Sequence, residues 1–177
     1  MILHNQPRAQ QIESLRQGQI LVGFDRHFCD EPDLSLELVC QESVIVVLHH
    51  DHPLASQSAI QLSDLRGQPL IGPPDSMSML TGIQTLFEQC GFEPQIAHRA
   101  DDVVTAATLV GCGFGITLVP ASLESMPMPN VVYRPLLTGQ ELTWKMYCAY
   151  RKNEHSPVLQ AFLECVRAYR QSNLPRL

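Results

Sequence analysis

The sequence predicts an α/β fold built on a mostly parallel sheet. Short, continuously apolar runs recur along the chain, as expected of strands buried on both faces. Segments of helical period separate them, and strands alternating with helices imply βαβ units. No internal repeat or low-complexity stretch interrupts this alternation.

Residues 10–17 read as the first helix, with Ile12 and Leu15 on one face and Gly18 as its stop. The apolar run 20–24 reads as a buried strand. Residues 34–39 alternate as a half-buried strand does, and 44–48 form a second buried strand. A loop, 49–58, leads to a helical turn at 62–65 closed by Gly67, then a strand at 69–71. The Pro- and Ser-rich loop 72–78 precedes a helix over 79–89, with Gly91 just past its end. A strand at 95–98 leads to a helix over 103–111 capped by Asp101 or Asp102. A buried strand at 115–119 follows, and Pro120 opens a short helical turn. Strands at 131–136 and 142–150 come next. Ser156-Pro157 then starts the last helix, whose apolar face carries Leu159, Phe162, Leu163 and Val166.

Composition narrows the function classes. With 45 % apolar residues over 177, the chain can bury a core and is not disordered. Twelve Lys+Arg against 18 Asp+Glu give a net charge of -6 with no basic run, which argues against a nucleic-acid surface on these residues. The start lacks the charged and apolar regions of a signal peptide, and the longest apolar run, 44–48, is far too short to span a bilayer. The expected location is the cytoplasm, away from membranes. Of the six cysteines, Cys40 and Cys148 lie in strand-like and Cys90, Cys112 and Cys165 in helix-like pattern, without a CxxC pair, so the cysteines read as buried free thiols.

Three ordered stretches resemble the effector-binding domain of LysR-type transcriptional regulators. The first is Gln11-Ile12-Glu13-Ser14-Leu15-Arg16-Gln17-Gly18 followed by Gly23-Phe24-Asp25-Arg26, with Leu21 where the family usually has Asp. The second is the strand 44–48 followed by His52-Pro53-Leu54-Ala55. The third is Gly91-Phe92-Glu93-Pro94, the helix 103–111, and Gly113-Phe114-Gly115-Ile116-Thr117-Leu118-Val119-Pro120. The resemblance implies a fold like type 2 periplasmic binding proteins, with two Rossmann-like lobes joined by two crossing segments and a small molecule in the cleft between them. Residues 1–42 with 139–177 would form an incomplete first lobe, and 43–138 the second. The family's winged helix-turn-helix and linker helix are not in these residues, so DNA contact is expected only through an N-terminal part outside this sequence. The resemblance also implies a homodimer or higher oligomer, and a ligand rather than a reaction.

Many effectors of this family are small carboxylates, and helix N-termini supply the N–H groups and positive dipole end that suit one. Pro7 and Arg8 precede the first helix. Arg8 reads either as a partner for a carboxylate or as a solvated arginine near a chain end. By resemblance, Ser76, Met77, Ser78 and Met79 form the effector loop, with hydroxyls and N–H groups between apolar walls. Serine N-capping is the plainer reading of the same residues. Asp102 and Val103 open the third helix and align with a further cleft position, or serve simply as cap and core. Arg26, in Gly23-Phe24-Asp25-Arg26, resembles the branch that responds to aromatic acids and muconates, which makes it a secondary anion position or a plain surface arginine.

No cofactor is called for. His49, His50, Asp51 and His52 look superficially like a metal cluster, but only alternate residues of an extended chain share a face, and no distant Cys/His pair has zinc spacing. Residues 111–115 are glycine-rich but lie between a helix and a strand. A phosphate loop must follow a strand, so these glycines read as a tight turn. No convergent nucleophile, acid and base can be assembled for an enzyme. The alternative of a transporter's solute-binding protein shares the fold, but unpaired cysteines argue against an oxidising compartment.

Overall fold

The structure is a computed structural model that describes residues 2, 4, 6–26, 28, 30–74, 78–139 and 142–173. The chain forms two compact units, residues 1–41 with 144–177 and residues 42–143. It passes between them twice, once within the long strand β2 (Leu34–His49) and once at the start of β8 (Thr143–Arg151).

The first unit is organised by β8, which lies between β1 (Gly23–Asp25) and β2. β1 runs antiparallel to it, with Phe24 opposite Cys148. Successive strand residues face opposite ways, so Cys148 and Ala149 seed two separate cores. On one side α4 (Pro157–Asn173) packs Leu159, Leu163 and Val166 against Cys148. The i, i+4, i+7 spacing of these residues puts them on one stripe, and Pro157 at the first helical position supplies the right φ without losing a hydrogen bond. On the other side α1 (Arg8–Arg16) packs Leu15 against Leu34 and Ala149. The half-buried Glu37 of β2 accepts hydrogen bonds from Arg167 and from the Tyr150 hydroxyl, tying α4 and β8 to β2. Arg167 holds the Glu37 carboxyl below its usual range.

In the second unit the latter part of β2 pairs antiparallel with β6 (Thr117–Pro120) and with β7 (Val131–Leu137), and β7 pairs parallel with β3 (Ile60–Gln61). Between β3 and β4 lies a 3-10 turn, Leu62–Leu65, where the Asp64 carboxylate accepts the Gln61 N–H. β4 (Pro69–Gly72) and β5 (Gln95–Arg99) are parallel neighbours, and Leu70 on the far side of β4 bridges parallel to Ile116. α2 (Ser78–Gln89) joins β4 to β5, and α3 (Val103–Gly111) joins β5 to β6. Ile45, Val47, Ile71, Ala107, Val110 and Val119 form the shared core.

The structure corrects three expectations. The sheet is not mostly parallel. Parallel pairing is seen between β4 and β5, for which α2 supplies the long crossover, and between the distant β3 and β7, while β2 runs against both β6 and β7. The two expected strands over 34–48 are one, because the polar residues between them contain no Gly or Pro and stay extended as the chain changes units. The run 20–24 is a strand only from Gly23, since among the described residues β8 is β1's one pairing partner. The cysteines also differ from expectation. Cys148 is buried, but Cys90 and Cys112 sit just past helix ends, Cys165 lies off the apolar stripe of α4, and all three are exposed.

Candidate functional site

In the second unit, β4 and β5 lie side by side, point the same way, and each leads into a helix. Parallel α/β sheets bind ligands at this edge, outside the carboxyl ends of the strands. Five residues separate Gly72 from Ser78, the first residue of α2. Ser78 and Met79 thus begin a helix that follows a strand end, as the effector-loop reading requires, while Ser76 and Met77 lie outside the described residues.

α3 starts at the neighbouring strand end. Its N-cap is Asp102, whose Oδ1 accepts the N–H groups of Val104 at 2.9 Å and Thr105 at 2.8 Å. Oδ2 accepts the Thr105 hydroxyl at 2.7 Å. The Thr105 N–H and hydroxyl, followed by the Val104 N–H, hold this carboxyl below its usual range. Asp102 therefore places its own negative charge on the helix terminus and leaves less of the dipole for a second anion. Val103 is half-buried against the core of the unit. Capping by Asp102 and core packing by Val103 are both seen.

Arg99, the last residue of β5, was missed by the sequence reading. Its guanidinium donates to the Pro73 carbonyl at 2.9 Å, and the backbone N–H of Ala100 donates to Gly72 O at 3.0 Å. A cation thus stands at the edge where β4 and β5 end, tied to the first residue of the loop that leads to α2. The available signal was an arginine at a strand end three residues ahead of a helix cap.

The remaining candidates belong to the first unit. Pro7 is the N-cap of α1, without a side-chain cap, and Arg8 is its first residue, half-buried. Arg26 is half-buried just beyond β1. The same unit holds a cavity of about 520 Å³ with Leu21, Val22, Phe24 and Phe162 among its walls. Gln11 adds a polar group there, its side-chain oxygen accepting the Phe24 N–H at 2.9 Å. A β-carbon at Gly23 would lie 2.7 Å from that oxygen, so glycine is needed for this contact.

One more group of side chains has ligand chemistry. His49, His50 and Asp51 gather at the end of β2, although the sequence reading expected consecutive residues to point apart. Among the described residues, no helix is long and apolar enough to cross a membrane.

Two α/β units traversed twice by one chain, with paired strand-to-helix turns, are the architecture of small-molecule-binding domains. The comparisons name the class: the LysR substrate binding domain matches residues 1–171, and the chain belongs to that family. The chain is 31 % identical to the HTH-type transcriptional regulator CatR of Pseudomonas putida, over 93 % of this chain and 57 % of CatR. It is 32 % identical to BenM of Acinetobacter baylyi, over 89 % of this chain and 53 % of BenM. The chain thus spans about half the length of the curated relatives it matches. Among solved structures, the BenM effector binding domain with its effector benzoate superposes with a TM-score of 0.81, at 30 % identity, covering 97 % of this chain and 80 % of that domain. CbnR, a LysR family transcriptional regulator, superposes with a TM-score of 0.83 at 28 % identity, covering 93 % of this chain and 57 % of CbnR. Residues 1–171 are therefore a LysR substrate binding domain, and the relatives that share it are transcriptional regulators.

Proposed function

We propose that this domain senses a small carboxylate, and that unit 42–143 receives the carboxylate where β4 and β5 end. The observation that carries this is Arg99, held on Pro73 O at the edge from which α2 starts. A guanidinium and a helix N-terminus together offer charge and convergent donors for a planar anion. Ser78 and Met79 open that helix. Val103 adds an apolar wall beside the Asp102 cap. Pro7 and Arg8, at the start of α1, are effector-binding residues of the first unit in its own right, and Arg26 is its secondary anion position.

The effector class is an aromatic acid or a muconate-like ring-cleavage product. The support is that BenM's effector is benzoate. In the whole regulator, effector binding biases how subunits pack, and DNA is bound by an N-terminal module of a homodimer or higher oligomer in the cytoplasm.

A thermal-shift series against benzoate, cis,cis-muconate and chlorinated analogues tests this. An acid at a hundred times its Kd stabilises by about 2.7 kcal/mol. For a chain of this size that corresponds to a rise of about 5–10 °C in Tm. The rise is expected to vanish in R99A and to survive partly in R99K. Absence of a shift with every acid, or a full shift in R99A, overturns the assignment.

A further inference from the structure

β2 ends at His49 and the chain turns through His50 and Asp51. Along a continuing strand the two imidazoles would lie on opposite faces. The turn cancels that alternation. The rings stack with centroids 4.4 Å apart and planes 29° apart. Asp51 completes the group, with Oδ1 3.2 Å from His50 Nε2 and Oδ2 3.8 Å from His49 Nδ1. One ligand atom from each residue lies within 4.8 Å of the others.

Neighbouring polar groups bear on which ring nitrogens offer lone pairs. The backbone N–H of His50 donates to the Asn130 carbonyl at 2.9 Å, and His50 Nδ1 lies 3.3 Å from the same oxygen. A carbonyl only accepts, so His50 donates to Asn130 O in the tautomer that carries its proton on Nδ1. In the neutral ring Nε2 is then bare and faces a carboxylate oxygen. His49 Nδ1 carries its lone pair toward the Asp51 backbone N–H at 3.2 Å, a hydrogen bond that a cation on this nitrogen would replace. Three electron-pair donors therefore converge with only that N–H among them. A proton on His50 or a cation would satisfy the cluster. His52 stands apart, because its Nδ1 accepts the Leu54 N–H and its Nε2 faces the Gln68 side-chain oxygen.

We propose that this turn is a surface site for a borderline divalent transition cation such as Zn²⁺ or Ni²⁺, ligated by His49 Nδ1, His50 Nε2 and the Asp51 carboxylate. Two imidazole nitrogens and one carboxylate suit these ions, whereas Mg²⁺ and Ca²⁺ require sets made of oxygen. A metal-bound imidazole usually donates its other N–H to a carbonyl, and Asn130 O stands 3.3 Å from His50 Nδ1 to accept it. The carbonyl is aimed by the left-handed backbone of Asn130, φ 61°, in a turn that packs against the end of α3, where a β-carbon on Gly111 would lie 2.8 Å from Pro129 O. Ligand bonds of about 2.0–2.2 Å require the donors to draw somewhat closer than they stand. The exposed Asp51 side chain can rotate to do this. Three protein ligands leave at least one position for water.

The test is calorimetric titration with ZnCl₂, NiCl₂ and MgCl₂ in a buffer that does not chelate. Wild type, H50A, H50Q and D51N are compared, with the exposed thiols of Cys90, Cys112 and Cys165 alkylated because zinc also binds thiolates. Saturable binding of one Zn²⁺ or Ni²⁺ is expected, with Kd raised about tenfold or more in both His50 variants, and no heat with Mg²⁺. The metal should raise the Tm of wild type but not of H50A. The variants should match wild type in Tm without metal, since His50 is exposed and its backbone bond to Asn130 is kept. Unchanged affinity in both His50 variants, comparable Mg²⁺ binding, or no saturable binding would overturn the proposal.

Discussion

Replacing Gly115 by alanine should be among the most damaging single-atom additions available in this chain. Gly115 has φ +144°, a region essentially reserved for glycine, and a β-carbon there would lie 2.3 Å from Pro69 O and 3.1 Å from its carbonyl carbon. Both are backbone atoms, and the oxygen accepts the Ile116 N–H at 2.9 Å. Relief requires β4 to move away from the entrance to β6, breaking that bond next to a fully buried Ile116. The backbone conformation costs about 1–3 kcal/mol, and a buried group stripped of its partner costs about 1–3 kcal/mol more. The sum, about 2–6 kcal/mol, compares with a total stability of about 5–15 kcal/mol for a typical domain. Gly113 is the control. Its φ is +82°, but nothing lies within 4 Å of its β-carbon position, so G113A should cost only the conformational part, about 1–2 kcal/mol. Urea unfolding followed by far-UV circular dichroism would measure both. A G115A loss no larger than that of G113A would refute the argument that close backbone approach, rather than φ alone, requires glycine there.

Two further predictions rest on local chemistry. D102A should destabilise the domain by about 1 kcal/mol through loss of the α3 cap, while D102N should retain most of the cap. The Asp102 carboxyl lies below its usual range in the folded state, so folding favours the ionised form. Its contribution is present in full above the ordinary aspartate pKa of about 3.9 and is lost as pH falls from there through the lower folded value. Acid titration of stability should therefore be shallower in D102N than in wild type, and identical slopes would contradict the assignment. The cysteines should separate kinetically. Burial pushes the Cys148 thiol up to about 11, so alkylation followed by mass spectrometry should label Cys90, Cys112 and Cys165 in the native protein and Cys148 only after denaturation.

What was legible in the sequence was what local chemistry decides. The bounds of α3, residues 103–111, were readable because an aspartate cap and a glycine-rich exit act over a few residues. The stripe of α4 was readable because its period matches a single buried face. The direction of strand pairing was not readable. Alternation of helices and strands fixes the order β4, α2, β5, α3, but says nothing about the long strand that β6 and β7 run against. The exposed cysteines were misread for a related reason, since apolar pattern marks an element without saying which of its faces is covered.

The same division runs through the candidate site. Ser78 and Asp102 could be picked out from sequence because both begin helices, which is a local property. Arg99 could not be weighted without knowing that β4 and β5 are neighbours, because its importance lies in reaching Pro73, 26 positions earlier in the chain. The turn at His50 shows the opposite failure. The rule that consecutive strand residues face apart was applied one residue too far, since β2 ends at His49 and an 80-residue contact with Asn130 sets the ring of His50. Both oversights concern side chains whose partners are remote in sequence and whose own segments look ordinary. For a domain built by threading one chain twice between two units, tertiary pairing rather than local propensity decides which donors converge at strand ends and turns.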